Sequence, residues 1–480
     1  MSLKKNYIYN SVLFISQYIF PLLTFPYITR VFGVEKVGLV NFVDSITDYT
    51  ILLSTMGLSI IGLRECARYK DNKTELSKTF SGLLSLHFLN TILFLVVYLI
   101  LISVVDKFRE NQILFYIGIS KIICIVFNIE WFYKGIENFK FITLRFLFVK
   151  AAFVLLVFLL VKTPDDYIIY YALVCAMTVI NSFISIYFLR GKVSLIKPRN
   201  LKIFRHFKAV AIIGFYNILT SLYATFNIAF LGIYTNNISV GYYTTALKLY
   251  MIIIGVFTAL NTVLMPRLSS LQEKEDGKTF DSLIQKSMKF VIIFSAPIIF
   301  SCVTLAPQLI TFLAGNGFEG AILCFRIIIP LIFIVGIAQI LANQIMITKR
   351  KDKELLYISM IGGGISVLLN ILLVPKYHEI ASSIILVASE IIVLSALILY
   401  LRKRTKFHLP PNYLIKNILL SIPYIIICYF CTLITDNNLG VLVISLFISL
   451  LYFFCSQYYI MKEDLVVEQL DSIKRRYINN

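Results

Sequence analysis

The sequence contains little charge for its length. Asp, Glu, Lys and Arg make up 15% of its 480 residues, whereas soluble globular domains average about 25% charged residues. Hydrophobic residues reach 59%, above the roughly 45–50% that is typical of soluble domains. This imbalance excludes a chain of ordinary soluble domains and indicates a protein that lies largely in a lipid bilayer.

The sequence also lacks the motifs of common nucleotide-binding and hydrolytic enzymes. No GxxxxGK[ST], HExxH or GxSxG pattern occurs, and the four histidines are scattered along the chain. Cys428 and Cys431 form a CxxC, but their neighbours are apolar, which favours packing over redox or metal chemistry. We therefore predict no catalytic residue, no cofactor and no metal site.

The sequence instead consists of apolar runs of membrane-spanning length. A spanning helix needs about 20 mostly apolar residues, and only helices or closed barrels satisfy every backbone polar group in lipid. The runs do not alternate apolar with polar residues as barrel strands do, so we predict an all-α polytopic membrane protein. The predicted spans are 8–32, 37–63, 81–105, 112–133, 142–162, 167–189, 209–234, 240–265, 289–313, 321–347, 355–374, 380–401, 413–435 and 441–461.

Lysines and arginines alternate between successive loops. If the amino terminus is cytoplasmic, 35 of the 45 fall in cytoplasmic segments and five in outer loops. Cytoplasmic loops are enriched in these residues, so the alternation predicts about fourteen crossings with both termini in the cytoplasm. It also accounts for most of the net charge of +19 without a nucleic-acid partner. The first run lacks a small-residue cleavage site and is predicted to remain as the first span.

A short motif occurs at the same place in the two halves of the chain. Residues 34–38 (Val-Glu-Lys-Val-Gly) and 237–241 (Asn-Ile-Ser-Val-Gly) each put Val-Gly at the start of a span. The longest basic loop, 190–208, lies between the halves, and internal repeats are a common plan for secondary transporters. The predicted parts are an amino-terminal six-helix lobe (1–190), a basic cytoplasmic linker (191–208), a carboxy-terminal six-helix lobe (209–401), and two further helices with a cytoplasmic tail (402–480).

Nine charged residues lie inside the predicted spans. A charge at the bilayer centre costs at least about 2.5–3.5 kcal/mol, so such residues usually face a water-filled cavity or each other. Those near span ends can instead extend to the interface, whereas Lys121, Lys248 and Glu390 lie deeper. The cations are Arg30, Lys121, Lys150, Lys248 and Arg326, and the acids are Asp44, Asp48, Glu130 and Glu390.

Asp44 and Asp48 are four residues apart and share one helix face. Two like charges there are unfavourable unless one is protonated or a cation lies between them. The pair is therefore a candidate proton or Na⁺ coupling site, a partner for Arg30, or an ion pair that only fixes helix packing. Glu390 is a further coupling candidate.

Pro21 and Pro26 lie five residues apart in the first span. Each removes a helix hydrogen bond and should bend the helix, so both are candidate gating residues, although prolines in spans can also serve static packing. A cationic interior with short loops favours a transporter of an anionic substrate, and phosphate groups are the natural complement to Lys and Arg.

Three segments in the first third of the chain resemble one family. They are Pro21-Leu-Leu-Thr-Phe-Pro-Tyr-Ile-Thr-Arg30-Val-Phe-Gly33 continuing to Gly38, Met56-Gly57 with Gly62-Leu-Arg64-Glu65-Cys66-Ala67-Arg68, and Glu130-Trp131-Phe-Tyr-Lys134-Gly135-Ile-Glu137 followed by Arg145 and Lys150. They resemble the Wzx-type flippases of O-antigen and capsule repeat units, in the multidrug/oligosaccharidyl-lipid/polysaccharide (MOP) exporter superfamily with the MATE exporters and MurJ flippases. The chain departs from that family at Lys134, where Gln is typical, in an expected cytoplasmic loop.

The resemblance implies two six-helix lobes in a V around a central cavity, in a bacterial inner membrane. It implies an undecaprenyl pyrophosphate-linked oligosaccharide, moved from the cytoplasmic to the outer leaflet by alternating access that an ion gradient drives. Membrane lipids would surround the chain, and a polysaccharide polymerase with its chain-length machinery is a candidate partner. The substrate-binding candidates are Arg30, Arg64, Lys121, Lys150, Lys248 and Arg326.

Three other functions are compatible with a polytopic chain. A MATE-like drug or cation antiporter should have an acid-rich cavity, whereas interior cations here equal or exceed acids. A membrane glycan polymerase or ligase usually has a large outer loop, but the longest outer loop runs only over about 106–111. A purely structural scaffold leaves the deep charges unexplained.

Overall fold

The structure, a computed structural model, describes residues 3–196, 206–222, 225–273, 276–402 and 411–461. Every regular element within these ranges is helical, which confirms the predicted all-α class. Parts of the predicted linker and tail lie outside the described residues, at 197–205, 403–410 and 462–480.

The described residues of the amino-terminal half form helices α1 to α8. They are α1 (Leu3–Thr55), α2 (Leu58–Arg68), α3 (Lys73–Val104), α4 (Asp106–Glu110), α5 (Gln112–Cys124), α6 (Glu130–Gly135), α7 (Phe139–Leu160) and α8 (Tyr167–Tyr187). A 3₁₀ turn, Ile125–Phe127, follows α5, and another, Pro164–Asp166, precedes α8.

The carboxy-terminal half continues with α9 to α19. They are α9 (Phe207–Ser221), α10 (Phe226–Tyr234), α11 (Asn237–Glu273), α12 (Gly277–Thr304), α13 (Ala306–Ala314), α14 (Gly320–Ile328), α15 (Leu331–Gln339), α16 (Asp352–Arg402), α17 (Pro411–Ser421), α18 (Pro423–Ile434) and α19 (Asn438–Cys455). Two π-helical segments, Ile340–Ile347 and Ser456–Met461, extend α15 and α19.

Several helices begin at a polar residue that caps the first turn. The side chain of Asn72 accepts a hydrogen bond from the backbone of Glu75 at 3.1 Å, ahead of α3. Asn138 and Asp276 do the same for α7 and α12. Asn and Asp are favoured here because they satisfy a backbone N–H that has no partner inside the helix.

Eleven of the described helical stretches, or twelve if α9 and α10 form one bent span, are long and apolar enough to cross a membrane. Helices α1 and α16 contain 53 and 51 residues, more than twice the length of about 20 that a span needs. Each has a non-helical residue inside it, Gly33 (φ 67°) and His378 (φ 48°). Counting each as two crossings, and α9 with α10 as one, gives fourteen, which stays a prediction because the structural count rests on length and composition.

The helices pack in two groups. Helices α1 to α8 contact mainly one another, as do α9 to α16, and an extensive contact between α1 and α11 joins the groups. We call them the amino-terminal bundle (α1–α8) and the carboxy-terminal bundle (α9–α16). Helices α17 to α19 pack on α12 and α13. This grouping supports the predicted two lobes with appended helices, which remain a proposal.

The bent pair α9 and α10 is held by α16. The two helices meet at an angle of 55°, and the bend leaves backbone groups that need other partners. The Ser366 hydroxyl donates to the carbonyl of Leu222 at 3.0 Å. The Asn370 amide donates to the side chain of Asn227 at 2.7 Å, where both residues are fully buried. These polar contacts stabilise the bend inside an apolar bundle.

The loops gather at two ends of the molecule. One end carries the turns 69–72 and 348–351, which flank helix ends rich in Lys and Arg, and we call it the basic face. The other end carries Gly33, the short helix α4 and the connection 235–236, and we call it the opposite face. Large apolar side chains such as Phe148, 68% exposed, point outward between the two faces, as expected for contact with lipid.

Candidate functional site

A cavity of about 240 Å³ lies where α1, α7, α8 and α11 meet, between the two bundles. We call it the central cavity. Its charged lining residues are Asp44, Lys150 and Lys248, and most of its wall is aromatic or aliphatic. The structure therefore brings together one acid and two cations that the sequence places on three separate spans.

Lys150 and Lys248 hold the positive charge of the central cavity. The Nζ atom of Lys248 lies 4.5 Å from the ring centroid of Phe25, and that of Lys150 lies 5.7 Å from the ring centroid of Phe153. Neither lysine forms an ion pair within the part of the chain that the structure describes. Aromatic faces stabilise a cation only partly, so this arrangement leaves positive charge available to an anion.

Lys121 bridges the two aspartates of α1. Its Nζ atom lies 2.7 Å from Oδ1 of Asp44 and 2.7 Å from Oδ1 of Asp48. The Lys121 side chain is 11% exposed, and Asp48 is the most exposed of the three at 49%. A cation thus separates the two carboxylates, as one of the interpretations of the sequence requires. The cation comes from α5 and is not Arg30.

Arg30 lies at the opposite face and is exposed. Its guanidinium donates hydrogen bonds to the carbonyls of Phe312 at 2.5 Å and Leu313 at 3.3 Å, in the last turn of α13, and to Pro26 in its own helix. A cation at a helix C-terminus complements the partial negative charge of the carbonyls there. The structure therefore connects Arg30 to the other bundle, and Arg30 does not line the central cavity.

Two further contacts join the bundles at the opposite face. Lys107 donates to the backbone carbonyl of Thr235. Gly38 and Gly241 pack so closely that a side chain at Gly38 would meet the backbone of Asn237, and one at Gly241 would meet Val34. The opposite face is therefore closed.

Arg64 lies near the basic face. It is exposed and lines a polar cavity of about 690 Å³, together with Lys349, Arg350 and Asp352 from the other bundle. We call this the basic-face cavity. A space of this size between residues of the two bundles contrasts with the tight packing at the opposite face.

Arg326 and Glu390 lie apart from these groups. Arg326 is exposed on α14, and its Nε donates to the carbonyl of Val303 at 3.1 Å. Glu390 is half-buried on α16. No ion pair to Glu390 forms among the residues that the structure describes. The structure does not bring either residue to the central cavity.

The two gating candidates lie inside a continuous stretch of α1. The helix runs through Pro21 and Pro26, and its non-helical residue is Gly33. Gly33 has a positive φ of 67°, which glycine adopts without the strain that other residues incur. The chain therefore leaves helical geometry at Gly33 and not at the prolines. Pro21 does line the central cavity.

The sequence led us to expect Lys134 in a loop, but the structure places it in a helix. It occupies α6, and its Nζ atom pairs with Glu130 at 2.7 Å. The second carboxylate oxygen of Glu130 accepts from Arg145 at 3.1 Å. Hydropathy misplaced Lys134 because a six-residue helix is too short to produce a clear apolar period.

Sequence reasoning missed Lys107, Lys349 and Arg350 as residues of interest. One signal for Lys107 was available, because it is one of only five Lys and Arg residues assigned to the outer loops, where such residues are disfavoured. Lys349 and Arg350 gave no comparable signal, because they belong to a basic segment that topology alone explains.

Comparison with known proteins gives the same family as the sequence motifs. A model of the family described as "Polysaccharide biosynthesis protein" matches residues 3–272, more than half of the chain. An Escherichia coli (strain K12) protein described as "Putative O-antigen transporter" is 25% identical over 413 residues, which cover 84% of this chain and 97% of that protein.

Two solved structures share the fold. One, described as "Lipid II flippase MurJ, inward closed conformation", aligns with a TM-score of 0.71 at 14% identity and covers 95% of this chain and 98% of that chain. The other is an inward-facing MATE family multidrug resistance transporter of the MOP superfamily, with a TM-score of 0.61 at 13% identity, covering 82% and 98%. At these identities the likeness establishes the fold alone.

Proposed function

The chain belongs to the polysaccharide biosynthesis protein family, as a Wzx-type member of the MOP exporters, and from that premise we propose that it is a flippase for lipid-linked oligosaccharide repeat units. The substrate we propose is an undecaprenyl pyrophosphate-linked oligosaccharide of the O-antigen or capsule type. It would move from the cytoplasmic to the outer leaflet of a bacterial inner membrane. The observation that carries this proposal is a cavity between two bundles with two lysines, Lys150 and Lys248, that no described carboxylate pairs with.

The chemistry of the central cavity fits the head of such a lipid. A diphosphate presents several anionic oxygens, which Lys ammonium groups bind as point charges. The wall is otherwise mostly apolar and aromatic, which leaves the two ammonium groups weakly solvated and strengthens their attraction for an anion. An organic cation would instead meet two like charges, and this disfavours the MATE-like antiporter.

Orientation follows from the charge of the loops. We assign the basic face to the cytoplasm, with both termini on that side, because Lys and Arg are enriched in cytoplasmic loops. The basic-face cavity, with Arg64, would then be the first cationic site that an anionic lipid head meets. Arg326 lies outside the central and basic-face cavities, and we assign it no part in this route.

Alternating access accounts for the difference between the two faces. At about 240 Å³ the central cavity is too small for a diphosphate with several sugars, since sites for drug-sized ligands take roughly 300–1,000 Å³. The bundles must therefore separate on the basic face to admit substrate and on the opposite face to release it. Pro21, at the cavity, and Pro26 lie on the helix that joins both faces and are our gating candidates.

The Lys121 group is our candidate for ion coupling. Asp44 lines the central cavity and is bound to Lys121, so a diphosphate in the cavity would compete with Asp44 for that cation. A carboxylate released in this way needs a new counter-charge, which a proton or Na⁺ would supply. Asp48 would share this role, and Glu390 is a second candidate site on the other bundle.

A depletion experiment in the native host tests the function. Loss of the chain should make lipid-linked repeat units accumulate in extracted lipids while surface polysaccharide disappears and sugar synthesis continues. Imposed proton or Na⁺ gradients in membrane vesicles would then identify the coupling ion. Unchanged surface polysaccharide in a host without a second such gene would overturn the proposal. Co-purification would test whether the polymerase and chain-length machinery are partners.

A further inference from the structure

A third cavity lies mainly within the amino-terminal bundle, on its basic-face side, and Asn217 of α9 completes its wall. It has a volume of about 670 Å³ and is separate from the central cavity. We call it the Trp131 pocket, after the only tryptophan of the chain. Its polar lining includes Thr55, His87, Asn128, Glu130, Trp131 and Asn217.

The acids of the Trp131 pocket are already neutralised. The two carboxylate oxygens of Glu130 pair separately with Lys134 at 2.7 Å and Arg145 at 3.1 Å. Asp48, which also lines the pocket, pairs with Lys121 at 2.7 Å. These carboxylates keep lone pairs that can accept hydrogen bonds, but their charges are compensated. The pocket therefore suits a neutral ligand with many hydroxyl groups better than a free cation.

Two ring nitrogens on the pocket wall have no hydrogen-bond partner among the described residues. They are Nδ1 of His87 and Nε1 of Trp131, in residues that are 2% and 4% exposed. A buried polar group without a partner costs about 1–3 kcal/mol. A small rotation of the His87 ring toward the pocket would let a ligand hydroxyl supply the missing partner of its Nδ1 atom.

The indole ring of Trp131 is firmly positioned. It packs against Gly62 so closely that any side chain at that position would meet the ring, and its centroid lies 5.5 Å from that of Phe80. A rigid aromatic wall beside amide and carboxylate groups provides both an apolar surface and fixed hydrogen-bonding groups. Sugars have that same combination of C–H faces and hydroxyl rims.

The pocket adjoins both other cavities. Asp44 lines the central cavity and Asp48, one turn along the same helix, lines the Trp131 pocket, with Lys121 between them. At its other end Arg64 lines both this pocket and the basic-face cavity. A ligand whose diphosphate occupies the central cavity would thus have its attached sugars beside the Trp131 pocket.

We propose that the Trp131 pocket is a glycan subsite, which binds the sugars nearest the diphosphate while Lys150 and Lys248 hold the diphosphate itself. The inference rests on the proposed flippase function and adds a site that distinguishes between sugars. The two lysines bind the diphosphate that all substrates of this class share, whereas directional hydrogen bonds in the pocket distinguish one repeat unit from another.

The single tryptophan makes the test direct. The full chain in lipid nanodiscs is titrated with two separate probes, inorganic pyrophosphate and the repeat-unit oligosaccharide released from the host's surface polysaccharide. Tryptophan emission reports the pocket, and calorimetry reports binding anywhere. The oligosaccharide should change Trp131 emission saturably, and pyrophosphate should bind without changing it.

Two variants separate the sites. His87→Phe keeps a ring of similar size but removes both nitrogens, and it should weaken oligosaccharide binding about tenfold with little change for pyrophosphate. Lys150→Gln should do the reverse. Unchanged Trp131 emission with the oligosaccharide, while pyrophosphate still binds, would overturn the glycan subsite alone. A saturable emission change without pyrophosphate binding would support the subsite and count against the proposed diphosphate site.

Discussion

Gly38 and Gly241 pack against each other's helices in a reciprocal way. A side chain at Gly38 would meet the backbone of Asn237, four residues before Gly241, and one at Gly241 would meet Val34, four residues before Gly38. The two Val-Gly motifs, which the sequence shows only as a repeat, are thus the two halves of one contact. This contact closes the opposite face.

Substitution of either glycine should open that face. Gly38→Ala or Gly241→Ala places a Cβ atom against backbone that cannot rotate away, so the bundles must separate there. We expect a cysteine introduced at Asn41, which lines the central cavity, to react faster with a membrane-impermeant maleimide added from the opposite face. Export should fall in the same variants, because the closed state is part of the cycle.

The matched control is Gly364→Ala, since a Cβ atom there meets nothing within 4 Å. It should leave both labelling and export at the level of the parent chain. Cys455, the exposed native cysteine among the described residues, sets the labelling background. Equal labelling of the Gly38→Ala and Gly364→Ala proteins would show that the glycine contact does not control this face.

Arg30→Gln should also favour an open opposite face. It removes the charge that binds the carbonyls of Phe312 and Leu313, and the effect on labelling at position 41 should be about two- to fivefold. Pyrophosphate binding should not change, because Arg30 does not line the central cavity. A variant that loses pyrophosphate binding but keeps normal labelling would instead support the role in substrate binding that the sequence indicated.

Lys121→Met should destabilise the protein as well as stop export. It leaves Asp44 and Asp48 without the cation between them. Breaking a buried ion pair in this way lowers the free energy of unfolding by about 3–5 kcal/mol. Because Asp48 is partly exposed, we expect a loss near the low end of that range. Thermal unfolding in detergent measures the loss. The variant that also carries Asp44→Asn and Asp48→Asn should recover most of the stability without recovering export. If the triple variant is no more stable than Lys121→Met alone, repulsion between the carboxylates is not the cause.

Lys150→Gln and Lys248→Gln should each impair export without a loss of folding. Each removes a charge-assisted contact to the substrate worth about 1.5–3 kcal/mol, which corresponds to a roughly 10- to 100-fold loss in affinity. Neither lysine forms an ion pair among the described residues, so stability should hold or increase. Pyrophosphate calorimetry and surface-polysaccharide assays give the two readouts. Lys278→Gln, at an exposed position on α12, is the control, and normal export by both cavity variants would rule out the diphosphate site.

The sequence predicts much of the fold because the bilayer places simple requirements on spans and loops. Apolar length and loop charge locate the spans, and these depend on local composition. Gly33 is an example, because it lies between the predicted spans 8–32 and 37–63 and is the residue at which α1 leaves helical geometry. The helix continues through Pro21 and Pro26, where the sequence predicts a bend.

The sequence predicts which types of residue line the site better than it predicts which of them contact each other. Lys150 and Lys248 are cations inside predicted spans, Lys248 the deeper of the two, and both line the central cavity. Arg30 was one of the partners considered for the aspartates, and Lys121 occupies that place instead, because helix packing decides which of several interior cations meets a carboxylate. Trp131 gave no sign of a pocket, since its surroundings come from α2, α3 and α9 as well as its own helix.

The reciprocal glycine contact has the geometry of an isologous interface, in which one patch meets a second copy of itself across a two-fold axis. Such interfaces are the usual way in which two identical subunits associate. Within this single chain the two bundles thus meet on this face as two subunits of a dimer would, and a change at either glycine alters both halves of the same contact.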